Sequence, residues 1–205
     1  MSRARLVQKD LPDDLFDALK NQTELGVDCE MMGLNPWRER LCLIQIAAEN
    51  GPCALVQVDE NEPPARIQQL FENPAIQKIF HFARLDCLFL RMRVNIQIQN
   101  VFCTKIASRL GRTYTDRHGL KEVVREFTGE TLDKQITSSD WGSNKLTDDQ
   151  LHYAASDVIY LFAVKRGLTE IINREGRAEL LRASLEYLPH RVELDRLGYD
   201  SIFQH

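Results

Sequence analysis

The run Leu25-Gly26-Val27-Asp28-Cys29-Glu30 ends an apolar segment on two acids. It reads as a buried strand, and a period of two puts Asp28 and Glu30 on one face while Cys29 points to the other. Carboxylates are rare in apolar runs unless they are paired or hold a metal. Working outward, Leu41–Ala47 and Cys53–Val58 read as two further strands, separated by the turn-forming Glu49-Asn50-Gly51-Pro52. The short connections predict an antiparallel meander.

Downstream the pattern changes to helices interleaved with strands. Pro63-Pro64 opens a helix that runs through Phe71 and stops at Asn73-Pro74. Ala75–Phe80 is predicted as a fourth strand, and Ala83 to about Arg91 as a helix. A further short strand is expected before Val101–Leu110, itself read as helical. Gly119–Phe127 is another helix closed by Thr128-Gly129, and residues 133–144 lack periodicity and are expected as a loop. Thr147-Asp148-Asp149-Gln150 has the capping-box pattern and announces one long helix to about Asn173. One more helix follows Gly176, and residues 188–205 are expected as a C-terminal tail. That tail keeps apolar residues to its end, which predicts docking on its own domain or on a neighbouring subunit. This order indicates an α/β domain with a mixed, five-stranded sheet flanked by helices. Residues 1–205 are expected to form a single domain, because no linker or repeat divides them.

Composition narrows the classes. At 205 residues, 43% hydrophobic and 27% charged, the chain suits a soluble globular domain. No apolar stretch is long enough to span a bilayer, and the N-terminus lacks the apolar core of a secretory signal, so a cytoplasmic location is expected. Cysteines 29, 42, 53, 87 and 103 show no Cys-x-x-Cys pair and read as reduced core thiols. A net charge of −4 argues against coating long nucleic acid with a broad basic face.

Three acidic motifs carry the chemistry: Asp28-Cys29-Glu30, His81-Phe82-Ala83-Arg84-Leu85-Asp86, and Tyr153-Ala154-Ala155-Ser156-Asp157. Each has a bland reading: a solvated strand end, a first-turn aspartate favoured by the helix dipole, a surface Tyr–Asp pair four residues apart. Acid-x-acid triplets recur about four times by chance in such a composition, so the first motif alone decides little. Converging carboxylates repel one another, however, and a pair of divalent cations is the usual way to keep them ionised, which suits phosphodiester hydrolysis.

Taken together and in this order, the motifs resemble the DEDD superfamily of 3′–5′ exonucleases. Tyrosine in the third motif is similar to its DEDDy branch, and His81 to Asp86 resembles the ribonuclease D group. The stretches Gly33–Cys42, Phe102–Arg109, Arg112–Lys121 and Ser138–Trp141 further resemble the short ribonuclease D-like enzymes called nanoRNase C. The resemblance implies a ribonuclease H-like (DnaQ-like exonuclease) fold and a ring-forming homo-oligomer that degrades very short RNA, dinucleotides especially, from the 3′ end. It implies Asp28, Glu30, Asp86, Tyr153 and Asp157 as catalytic residues, the four acids holding two Mg²⁺ or Mn²⁺ ions. Asp28 would bridge both ions, Glu30 and Asp157 complete one site, and Asp86 act through the second. A phenol is a poor base at neutral pH, so Tyr153 is expected to orient the attacking water and not to strip its proton.

Substrate contacts are expected from Leu34, a wedge against terminal bases, and Met31, although a core role competes for both. His81 is expected to donate to a terminal ribose or phosphate, with a structural hydrogen bond as its competitor. Trp141 is expected to stack on a base. Arg117 belongs to the densest basic segment, with Arg109, Arg112, His118 and Lys121, which reads as phosphate contact, subunit pairing or a solvated face. The chain ends too soon after Asp157 for the helical domains that follow the catalytic one in ribonuclease D, which turns the expected substrate toward short fragments. The alternatives are a ribonuclease D-like exonuclease of longer RNA such as tRNA 3′ ends, a DNA exonuclease, and a catalytically silent RNA-binding module.

Overall fold

The computed structural model describes residues 4–132, 139–200, 202 and 203. Among the described residues six strands are present: β1 (Arg5–Gln8), β2 (Glu24–Met31), β3 (Leu41–Ala47), β4 (Cys53–Gln57), β5 (Gln77–Phe80) and β6 (Val101–Cys103). Eight helices accompany them among the same residues: α1 (Asp13–Leu19), α2 (Ala65–Phe71), α3 (Ala83–Arg93), α4 (Thr104–Gly111), α5 (Leu120–Thr128), α6 (Asp148–Ile159), α7 (Leu161–Arg174) and α8 (Ala178–Arg196). The strands lie in the order β1-β4-β3-β2-β5-β6. β2, β3 and β4 form the antiparallel meander, while β1–β4, β2–β5 and β5–β6 pair in parallel.

The sheet separates two apolar layers. Val27, Cys29, Ile44 and Ile46 pack with α1, α2, α3 and α8. Leu43, Ala47, Leu55 and Ile79 pack with α5, α6 and α7. Alternation along β2 therefore does what its sequence requires: Cys29 is buried on one face, and Asp28 and Glu30 are left on the face that α6 covers. All five cysteines are buried and free.

Several elements differ from their expectation. The sheet has six strands and not five, because Arg5-Leu6-Val7-Gln8 adds to β4 along a parallel edge. A four-residue strand carries too little pattern to declare itself, and its partner lies far along the chain. Val101–Cys103 is itself the short strand β6, and the helix begins only at Thr104. The capping box forms as expected, Thr147 Oγ1 accepting from Gln150 N and Gln150 Oε1 accepting from Thr147 N. The helix it starts, however, breaks at Tyr160, whose N–H turns to the Val158 carbonyl. The expected tail at 188 is helical to Arg196, with Pro189 inside α8. Proline removes one helix hydrogen bond, but buried Leu188 and Val192 flank it and hold the helix to the core. Of the expected loop at 133–144, residues 133–138 lie outside the described residues, as does Ser138 of the Ser138–Trp141 motif.

Candidate active site: three acids at the end of a central strand

β2 ends beside a β-bulge. Register is regular through Glu30↔Leu43 and then shifts, Met31 pairing with Leu41, so β3 carries the extra residue, Cys42, beside the second acid. Across this end lies α6. Its approach depends on Gly26, where a Cβ atom would stand 2.5 Å from the Val158 carbonyl oxygen and 3.3 Å from the Phe162 ring. Only glycine admits the helix backbone so close to the strand. Asp157, next to Val158, is thereby seated over β2, and one ligand oxygen each from Asp28, Glu30 and Asp157 lies within 4.8 Å of the others.

Asp86 arrives from the opposite layer. The chain leaves β5, passes Phe82 in the left-handed region at φ 71°, and enters α3 at Ala83. A non-glycine residue pays for that conformation, and such strain gathers at functional sites. Asp86 then sits in the first turn of α3, where the helix dipole favours an anion. Its carboxylate accepts from its own backbone N–H and from that of Cys29. It stands outside the three-acid group, yet its charge is felt by both Asp28 and Glu30.

Among the described residues no cationic side chain offsets these acids. Burial, and then Asp86, Asp157 and Glu30, push Asp28 far above the usual carboxylate range. Burial, then Asp157 and Asp86, raises Glu30 to about 9. Burial raises Asp86 and Asp157 each to about 7. An all-oxygen set of clustered carboxylates fits a hard divalent cation such as Mg²⁺ or Mn²⁺ and does not fit zinc's preference for thiolate and imidazole.

Tyr153, one turn before Asp157, presents its phenol to this cluster. Burial first, then Asp157 and Glu30, hold the phenol protonated far into alkali, and it is hydrogen-bonded to Asp157. Behind it lies Trp141, ring centroids 6.1 Å apart at 39°. Trp141 is only 2% exposed, so it is a wall for Tyr153 and not the open stacking platform expected. The segment carrying it is tied down by Gln150, whose Nε2 donates to Ser139 Oγ and the Asp140 carbonyl. This second task for the capping-box residue had no signal in the sequence. Nor did Gln45, which is fully buried opposite Asp28 and donates from Nε2 to Glu30 Oε1 at 3.5 Å.

The remaining expected contacts divide. Leu34 is 80% exposed on the β2–β3 connection, so a core role is excluded, whereas Met31 is half-buried against the core. His81 Nδ1 lies 2.8 Å from Thr104 Oγ1, whose hydroxyl is committed to the Phe80 carbonyl at 3.0 Å. This is the structural hydrogen bond that competes with a substrate contact for the ring. Burial and then Lys105 lower its pKa to about 3, so the ring is neutral, and Nε2 is buried without a hydrogen-bond partner among the described residues. Arg117 is exposed. Arg112 is 2% exposed and engaged with Glu126, Ser108 and the Arg117 carbonyl, which removes it from the candidates for phosphate contact.

Comparison with known proteins gives the family. Residues 6–173 match the family model described as 3′–5′ exonuclease. Ribonuclease D of Acidiphilium cryptum (strain JF-5) is 30% identical over 165 residues, 80% of this chain and 42% of that protein. The chain thus spans about half or less of the length of the ribonuclease D proteins it matches. The solved structure of Brucella melitensis NrnC bound to pGG superposes with a TM-score of 0.94 at 40% identity, covering 100% of both chains. The same protein with bound Mg²⁺ gives 0.92 at 40% identity, again over 100% of both chains.

Proposed function

From the premise that this chain belongs to the 3′–5′ exonuclease family, as a ribonuclease D-like hydrolase similar to NrnC, we propose that it hydrolyses short RNA from the 3′ end, dinucleotides first among them, and releases nucleoside 5′-monophosphates. The observation that carries the reading is the convergence of Asp28, Glu30 and Asp157 within 4.8 Å, beside a protonated Tyr153. Full-length likeness to NrnC bound to pGG supports the short substrate, and so does a net charge of −4, ill suited to gripping a long polyanion.

Asp28, Glu30 and Asp157 would hold one divalent cation, and Asp28 with Asp86 a second. Bound cations supply the positive charge that keeps these acids ionised and offsets charge developing on the phosphodiester oxygens. The chain's own residues then do the positioning. Tyr153, walled by Trp141 and bonded to Asp157, orients the attacking water as a hydrogen-bond donor and leaves the proton to others. His81 contacts the terminal ribose or a phosphate. Leu34 wedges against the terminal base, with Met31 at its side, and Arg117 contacts phosphate from the rim. Exposed Trp37, Phe82 and Tyr199 support self-association. Free thiols throughout suit a reducing cytoplasm, and among the described residues no helix is long and apolar enough to cross a membrane.

The test is a time course on 5′-labelled RNA dinucleotides, heptamers and twenty-mers, and on matched DNA, with Mg²⁺ or Mn²⁺. The expected outcome is fastest turnover of the RNA dinucleotide, with accumulation of monophosphates. Equal rates at all lengths would reject the short-substrate reading, and preference for the twenty-mer or for DNA would replace it.

A further inference from the structure

Gln45 is the most deeply buried polar side chain in contact with the acidic cluster. It lies on β3 directly opposite Asp28 and shares its face with Leu43 and Ala47, both fully buried and apolar. Its Nε2 donates to Glu30 Oε1 at 3.5 Å. Its own Oε1 is buried without any hydrogen-bond partner among the described residues. With Glu30 ionised, as a bound cation would hold it, the reverse orientation would set a carbonyl oxygen against a carboxylate. An amide in such surroundings weakens the fold, because an acceptor desolvated without a partner is costlier than an apolar group of the same shape. Something other than packing must account for it.

We propose that Gln45 is a positioning residue for the metal site: its amide N–H turns the Glu30 carboxylate toward Asp28 and Asp157, and the orphaned Oε1 is what the fold gives up for that orientation. Glu30 is the last residue in regular register before the bulge, so its backbone alone does not fix the carboxylate. A contact of 3.5 Å orients an oxygen without gripping it, and a tighter bond would compete with a cation for the same lone pairs. Partners behind first-shell ligands typically change metal affinity by about tenfold to a hundredfold when removed.

The inference rests on the acids holding a divalent cation, and the test separates the two. Mn²⁺ binding would be titrated calorimetrically, with no substrate present, for the unaltered protein, Gln45→Leu and Gln45→Met, beside their thermal midpoints without added cation. Both variants are expected to keep or raise the midpoint while binding Mn²⁺ about tenfold or more weakly. A purely structural glutamine would lower the midpoint in both variants, and that result overturns the proposal. Affinity within twofold of the unaltered protein overturns it too. Failure of the unaltered protein to bind Mn²⁺ would sink the metal-site reading itself, and this one with it.

Discussion

Asp157 and Asp195 are buried to nearly the same degree, 5% and 9% exposed, and their chemistry is opposite. Asp195, on α8, accepts from Arg84 Nε and Nη2 at 2.6 Å each and also from Arg191. Burial alone would raise it, but the two guanidinium groups prevail and hold it below the usual carboxylate range. Asp157 has only the Tyr153 hydroxyl to set against its burial and is raised to about 7. A buried acid with protein counter-ions fastens α8 to α3. A group of acids with no counter-ion among the described residues costs stability, and the cost makes sense where a cation from outside completes the site.

The sharpest way to break this contrast is to neutralise one acid on each side. Asp28→Asn is expected to lower turnover by more than about a hundredfold and, by relieving repulsion, to leave the thermal midpoint unchanged or higher. Asp195→Asn is expected to do the reverse. Removing one partner of a buried pair costs about 3–5 kcal/mol; with Arg84 43% exposed we expect about 2 kcal/mol, a midpoint lower by about 4–8 °C, and near-normal turnover. Steady-state kinetics and calorimetry on the same preparations decide it. A midpoint that falls for both, or turnover lost in both, would erase the distinction.

Tyr153→Phe sharpens the contrast by leaving every charge in place. It removes the phenol that the acids keep protonated and keeps the ring that Trp141 supports. Turnover should fall about a hundredfold, within the range for a group that handles the reacting water, while Mn²⁺ affinity measured by titration stays within a few-fold. A large loss of metal affinity would make Tyr153 part of the cation site and not of the reaction.

Gly26→Ala attacks the acidic side through geometry alone. A methyl 2.5 Å from the Val158 carbonyl must push α6 off β2 and carry Asp157 with it. Overpacking of this kind costs about 1–3 kcal/mol, and the displaced ligand should lower turnover about tenfold. The Asp195 pairs lie in the other layer, so a crystal structure of the variant should show them unmoved.

How much of this was legible follows from which interactions are local. Asp28 and Glu30 could be placed on one face because a strand repeats every two residues, and Tyr153 with Asp157 because a helix returns every four. Thr147 and Gln150 announced α6 for the same reason. Gln45 could not be found that way: its meaning depends on β3 pairing Gln45 with Asp28, a register that no short-range pattern encodes. Trp141 looked like a stacking surface until α6 closed over it, and Arg112 like a phosphate ligand until Glu126 took it. The break at Tyr160 has neither glycine nor proline to mark it, whereas Pro189 marks a break that tertiary packing overrides.

The smallest effect, and the one that tests the contrast without any mutation, is the pH dependence of stability. Glu30 at about 9 and Asp86 and Asp157 at about 7 bind protons more tightly folded than unfolded, where carboxyls titrate near 4. The folded state therefore holds more protons between about pH 4 and 9, and the stability this gives is lost as pH rises through that window. Asp195 is lowered, so its contribution is present above the unfolded value and lost as pH falls through the folded one. In chelator, the midpoint should decline by several degrees from pH 5 to pH 9, the Asp195 pairs contributing only at the acid end. Saturating Mn²⁺ takes the place of the protons and should flatten that decline, with affinity tightening as pH rises. An alkaline decline that Mn²⁺ leaves untouched would mean the protons sit elsewhere than on the acids beside Tyr153.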